Sequence, residues 1–226
     1  MWLGVEYLPT SLFSFKNINA TNTAATSLLL PTPFGVKMGL VSRAIQEYDL
    51  EKGREVFEVI KEREIRFKLP QEAVVNKTFG RINDLRNKTG RSKPAYREYV
   101  HLEGSLKVAI DIDNLEDEKV ELLKKLFIRI NYFGKKGSFM QFRSFKEMEV
   151  LDDGYLKLMG EENIQLGSNS IVQFTEDIPP EATFEAINIY NSDEKLTRKD
   201  NERIFLVNLE KVLSGEGYQY YQICNN

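Results

Sequence analysis

The chain has 226 residues, 42% of them hydrophobic and 29% charged, with 14 Gly and 7 Pro, which excludes a wholly disordered or collagen-like polypeptide and fits one large domain or a domain with a small appendage. Lys and Arg number 31 against 34 Asp and Glu, a net charge of −3, so the molecule as a whole is not basic. The single cysteine, Cys224, and single histidine, His101, exclude a disulfide framework, a cysteine-based zinc site and a His-rich metal site, and no cofactor is expected.

Residues 1–8 (MWLGVEYL) alternate loosely and stop at Pro9, which predicts a first strand. The opening MWLGVEYLPT has neither a basic start nor a long apolar run, so it does not read as a signal peptide. No stretch approaches the roughly 18 apolar residues of a membrane helix; the expected location is the cytoplasm, without a membrane partner. The sequons at Asn19, Asn76 and Asn87 are accordingly read as chance. After a polar stretch, SFKNINATNTAATS, the period becomes helical: Val36, Leu40, Val41, Ala44, Ile45 and Tyr48 form one stripe. Thr32 as N-cap and Pro33 in the first turn predict a helix over 33–48. Residues 55–69 (EVFEVIKEREIRFKL) read as a strand through Ile65, Phe67 and Leu69, and residues 99–112 as another through Leu106, Val108, Ile110 and Ile112. EDEKVELLKKLFIRI is an amphipathic helix with acids in its first turn and Val120, Leu123, Phe127 and Ile130 on one face. GSFMQFRSF closes the series as a strand.

This order predicts an α+β class with a ferredoxin-like (RRM-like, β-α-β-β-α-β) domain over residues 1–145, carrying a long basic hairpin at about 70–98. Residues 146–226 read as a small, acidic, mostly β extension, with short strands at IVQF, FEAINIY, RIFLVNL and YQYYQIC.

The small net charge hides an asymmetry. Residues 76–97 carry Lys77, Arg81, Arg86, Lys88, Arg91, Lys93 and Arg97 against Asp84 alone, while residues 144–226 hold 7 basic and 16 acidic side chains. Gly80, Gly90 and Pro94 make the basic segment a loop or hairpin, and Phe79 and Tyr96 lie among its cations. Cations for phosphates with aromatics for stacking bases is the composition of a nucleic-acid contact. Lys37 lies in the first turn of its helix, either as a phosphate contact beside free backbone N–H groups or as a solvent-facing lysine. Gly134-Lys135-Lys136-Gly137 has the spacing of a KH clamp, but its flanking elements come in the wrong order; it reads as a loop whose lysines touch phosphate. Asp111 and Asp113 with Glu116, Asp117 and Glu118 read as a strand end running into an acid-capped helix in preference to a metal cluster. No phosphate-binding glycine loop, dinucleotide fingerprint or zinc-protease motif occurs.

The Pro-rich entry PTPFGVKMGLVSRAI, the long basic hairpin, the strand HLEGSLKVAIDI and the segment KKLFIRINYFGKKGSFMQF together resemble the RAMP superfamily of CRISPR-associated proteins, in particular its Cas five branch. The resemblance implies an antiviral-defence role: an RNA-binding subunit of a Cascade-type ribonucleoprotein that caps the 5′ handle of the crRNA. The hairpin would be its thumb, folding over the RNA with the cations named above and Lys37. Its partners would be the crRNA, the backbone subunit and the large subunit, with target DNA reached indirectly. Some members of the branch cut precursor RNA, and His101 stands near Tyr96, Tyr99 and Lys93 in sequence; the histidine is read as structural and no catalytic residue is assigned. Two alternatives remain, an RNA-processing endoribonuclease of the same superfamily and a protein-interaction module with a basic hairpin.

Overall fold

The computed structural model describes residues 1–17, 26–83, 92–161, 169–188, 196 and 201–224. Strands β1 (Trp2–Pro9), β4 (Ile65–Lys68), β7 (Leu106–Asp111) and β8 (Met140–Met148) form one sheet in the order β4-β7-β1-β8, with every neighbouring pair antiparallel. Helices α1 (Pro33–Glu47) and α2 (Leu50–Ile60) connect β1 to β4, and α3 (Asp117–Arg129) connects β7 to β8. Period-2 alternation sends Leu3, Val5, Tyr7, Phe67, Val108 and Ile110 into the core, where Leu40, Val41, Leu123, Leu126 and Phe127 of the helices are also buried. The Tyr7 hydroxyl donates to the Phe127 carbonyl at 2.7 Å, so the ring fills the core without leaving its polar atom unpaired.

Helix α1 begins as its sequence predicts, with the Thr32 hydroxyl accepting from Gly35 N at 3.0 Å and Pro33 in the first turn. The strand read over 55–69 is corrected: only Ile65–Lys68 is extended, and Leu50–Ile60 is helical. Asp49 caps α2 by accepting from Lys52 N at 2.7 Å, and Val56, Phe57 and Ile60 bury at helical spacing. Gly53 lets α2 lie close to α1, since a Cβ there would run into the Ile45 side chain. The strand read over 99–112 is two strands. β6 (Ser92–Glu103) ends at Gly104, whose φ of +115° turns the chain back into β7.

A second sheet runs β6-β5-β11-β10-β9, built from β5 (Glu72–Asn83), β9 (Ser170–Glu176), β10 (Glu202–Gly215) and β11 (Tyr218–Ile223). The C-terminal strands extend the sheet of the basic hairpin, because β11 pairs with β5 from Tyr218↔Asn76 to Gln222↔Glu72. FEAINIY is corrected in its described part, where Glu185–Ile187 is a 3-10 turn that follows Phe184, stacked edge-on against Phe57 at 5.7 Å. Residues 189 and 190 of that segment lie outside the described residues. The two sheets meet through residues 156–158: Leu156 N donates to Phe67 O at 2.7 Å, Leu206 N donates to Lys157 O at 3.1 Å, and Phe67 packs on Phe205. Short strands β2 (Phe15–Lys16) and β3 (Ser27–Leu28) pair beside β6, where Phe13 and Val100 exchange backbone hydrogen bonds. Among the described residues no helix is long and apolar enough to cross a membrane.

Candidate nucleic-acid interface

The pairing of β11 with β5 stops at Asn76, and beyond it β5 and β6 continue as a two-stranded ribbon through Asn83↔Ser92. Strand alternation places Lys77, Phe79 and Arg81 of β5 and Tyr96 of β6 on one face of this ribbon. That face continues the one that buries Ala73, Val75, Val100 and Leu102 at the ribbon's base. The same alternation that makes core at one end therefore makes an aromatic and cationic surface at the other. Phe79 and Tyr96 are direct cross-strand partners with ring centroids 5.2 Å apart and planes at 55°, yet they remain 59% and 55% exposed. Two large rings left open to water on a ribbon are available to stack on bases.

Lys77 Nζ lies 3.5 Å from Glu98 Oε1, and the second oxygen of that buried carboxylate accepts from Ser27 N at 2.7 Å. Arg81 is exposed on the same face as Lys77, while Arg97 is exposed on the opposite face opposite Thr78. Arg86, Lys88 and Arg91 lie outside the described residues; Lys93 is placed in β6 opposite Ile82, its side chain outside the description. Lys135 and Lys136 are exposed in the loop between α3 and β8, bounded by Gly134 and Gly137 with φ of +60° and +103°. Residues 11–15 run from this loop to the ribbon's base. The Ser11 hydroxyl donates to Gly137 O at 2.8 Å, and Phe13 N donates to Val100 O at 3.0 Å.

Lys37 is corrected as a phosphate contact. Its side chain is 1% exposed, with Nζ 2.7 Å from Asp177 Oδ1 and donating to Lys61 O at 2.9 Å. The residue lies one position from the apolar stripe, and the tail segment after β9 covers it. His101 is on the ribbon's other face, 3.1 Å from Glu103 Oε2, so alternation separates it from Tyr96 and leaves Tyr99 as its same-face neighbour. His101 and Tyr96, on opposite faces of the strand, therefore do not converge on one phosphate. Among the described residues no group of three or more His, Cys, Asp or Glu is placed to hold a metal. Asp111 Oδ1 instead accepts from Asp113 N at 2.9 Å, and Asp113 pairs with the N-terminal amine.

The register also reveals a tyrosine row that sequence reasoning missed. Tyr99, Asn76 and Tyr218 stand side by side on the sheet's outer face, with His101, Val74, Tyr220 and Leu213 in the next row. The alternation within YQYYQI was the available signal, but only the pairing with β5 brings it beside β6.

The ribbon thus presents two tilted, exposed aromatic rings and the cations Lys77 and Arg81 on one face, the composition of a candidate nucleic-acid interface. One curated relative agrees with the resemblance read from the sequence. The chain is 22% identical over 231 residues, 98% of both sequences, to CRISPR-associated protein Cas5 from Archaeoglobus fulgidus. A crystal structure of a CRISPR protein from Archaeoglobus fulgidus is similar with a TM-score of 0.45 and 13% identity, over 99% of this chain and 92% of that one. A chain of the type III-B Cmr-beta complex bound to cognate target RNA is similar with a TM-score of 0.45 and 12% identity, over 64% of this chain and 59% of that one. No family model matches the sequence.

Proposed function

We propose that the chain is an RNA-binding subunit of a class 1, Cascade-like CRISPR interference ribonucleoprotein and caps the 5′ handle of the crRNA. The observation that carries the reading is the Phe79–Tyr96 pair, held open to solvent on the same ribbon face as Lys77 and Arg81. Full-length similarity to a Cas5 protein supports placing that binding in a CRISPR complex. On this reading the four-stranded sheet with its intervening helices is the ferredoxin-like body and the β5–β6 ribbon is the thumb. Lys77, Arg81, Arg97, Lys135 and Lys136 contact phosphate, as do the cations beyond the described part of the ribbon. The acidic residues after 145 face the backbone and large subunits, target DNA is met through the RNA, and the complex works in the cytoplasm.

The test is the salt dependence of binding to a repeat-derived RNA. Replacing Lys77, Arg81 and Arg97 together by glutamine lowers the slope of log K against log salt by about 2 units, since each phosphate contact on a single strand contributes about 0.7. An unchanged slope removes the ribbon from the RNA site. Purification of the tagged protein from its host recovers a defined short RNA with partner subunits; a clean monomer free of nucleic acid overturns the reading.

A further inference from the structure

Strand β8 closes one end of the first sheet. It pairs with β1 on one side, and its outer side has no strand partner among the described residues. The opposite end is covered, because the Phe67 carbonyl of β4 accepts from Leu156 N. An exposed edge of nine residues is a template for another extended chain; β8 carries no proline, and its bulge at Arg143 and exposed cations Arg143 and Lys146 discourage any strand that does not complement their charge. Its two faces differ in chemistry. Phe142 and Phe145 lie on the helix side, opposite Tyr7 and Val5, and continue into Ile128 of α3 and Phe139, with Phe145, Ile128 and Phe139 exposed by 42%, 47% and 49%. An open depression of about 510 Å³ lies at the start of the strand between Thr10, Ile128, Phe139 and Phe142. On the other side Ser144 and Lys146 lie opposite Glu6 and Gly4, with Arg143 at the bulge between them and Phe142. Arg143 and Lys146 are exposed and make no ion pair among the described residues, whereas Glu147 is taken by Lys124 at 2.7 Å.

We infer that β8 is a docking edge for an extended segment of a partner protein whose side chains alternate apolar and acidic. The segment adds a fifth strand, its apolar side chains pack on Phe142, Phe145 and Ile128, and its carboxylates meet Arg143 and Lys146. A row of amides and carbonyls alternating at strand spacing is matched group for group by the backbone of another extended polypeptide, which favours a peptide over RNA as the occupant. The inference is independent of the RNA-binding ribbon.

The test uses the full chain and a fluorescein-labelled nonapeptide alternating valine and glutamate. Two control peptides carry lysine for each glutamate, or proline at the centre. Fluorescence anisotropy should show binding of the acidic peptide and at least about tenfold weaker binding of both controls. Phe145→Asp and Lys146→Glu, on opposite faces of the strand, should each weaken it by about tenfold, while Phe79→Ala on the ribbon leaves it unchanged. Backbone amides of β8 should exchange more slowly in the peptide complex. Absence of binding, equal binding of the proline peptide, or displacement of the peptide from β8 by an oligouridylate overturns the inference. Arg143→Glu, at a position exposed to solvent, repeats the charge test of Lys146→Glu, and the two together decide the outcome should Phe145→Asp fail to fold.

Discussion

Lys37 of α1 and Asp177, just after β9, form a buried ion pair, Nζ to Oδ1 2.7 Å, with the two side chains 1% and 5% exposed. Burial pushes the Lys37 ammonium below its ordinary range and the Asp177 carboxyl above its own, and each is opposed by the other's charge. The pair is further satisfied: Lys37 donates to Lys61 O, Ile178 N donates to Asp177 Oδ1 at 2.8 Å, and Arg203 Nε lies 3.9 Å from Oδ2. It ties α1 and the end of α2 to the strands of the tail.

Removing one partner leaves the other charged and buried. Lys37→Met should destabilise the protein by about 3 kcal/mol, and the double variant Lys37→Met with Asp177→Leu should recover most of that loss. Chemical denaturation of the three proteins checks this. A double variant no more stable than Lys37→Met would mean that Asp177 is not the group left unpaired.

Phe79 and Tyr96 contribute little to the fold because both are more than half exposed. Phe79→Ala should change stability by no more than about 0.5 kcal/mol, the range of a surface substitution. The same change should weaken RNA binding by roughly 1–3 kcal/mol for each base that loses its stack. Thermal melting and RNA titration on one preparation separate the two effects; a large fall in melting temperature would show that the rings serve the ribbon itself.

Gly104 occupies the turn between β6 and β7 at φ +115°, and a Cβ there would lie 3.1 Å from Pro70 Cβ. Gly104→Ala should therefore cost about 1–3 kcal/mol from backbone conformation alone. Unchanged unfolding midpoints would show that the turn relaxes to another conformation.

The Asp152 carboxyl is held below its usual range first by its hydrogen bond from Lys68 at 2.6 Å and then by the Gly154 N–H. A depressed carboxylate stabilises the fold above its unfolded pKa and loses that contribution as pH falls through the folded one. With the carboxylate 55% exposed, solvent screening limits Asp152→Asn to less than about 1 kcal/mol at neutral pH. The difference from wild type should shrink in urea titrations as pH falls below the ordinary aspartate range and through the depressed folded value. A gap that persists there would assign the effect to packing.

Several elements were legible because their signal is local. Helix α1 declares itself by the Thr32–Pro33 start and a stripe of period 3.6, and α3 by acids ahead of Val120, Leu123 and Phe127. The basic segment was legible as charge, but Gly80 and Pro94, read as turn residues, lie within paired strands, and the connection between them is outside the described residues. α2 was not, because Ile65, Phe67 and Leu69 next to it alternate strongly enough to draw the whole of 55–69 toward a strand. The break at Gly104 was hidden by apolar alternation running on either side of it.

What the sequence alone determined about this protein is the composition of its surfaces: a cationic segment with two aromatics, an acidic remainder, and the resemblance that the Cas5 comparison upholds. Tertiary structure alone decided which of those residues face water. Lys37 differs from an exposed lysine only because a segment 140 residues away places Asp177 over it. Phe79 and Tyr96 share a face with the core residues Val75 and Val100 but stand on the part of the ribbon that runs past β11, where both stay more than half exposed. Burial is a property of what packs against a side chain, and period-2 alternation fixes the face without fixing the neighbour.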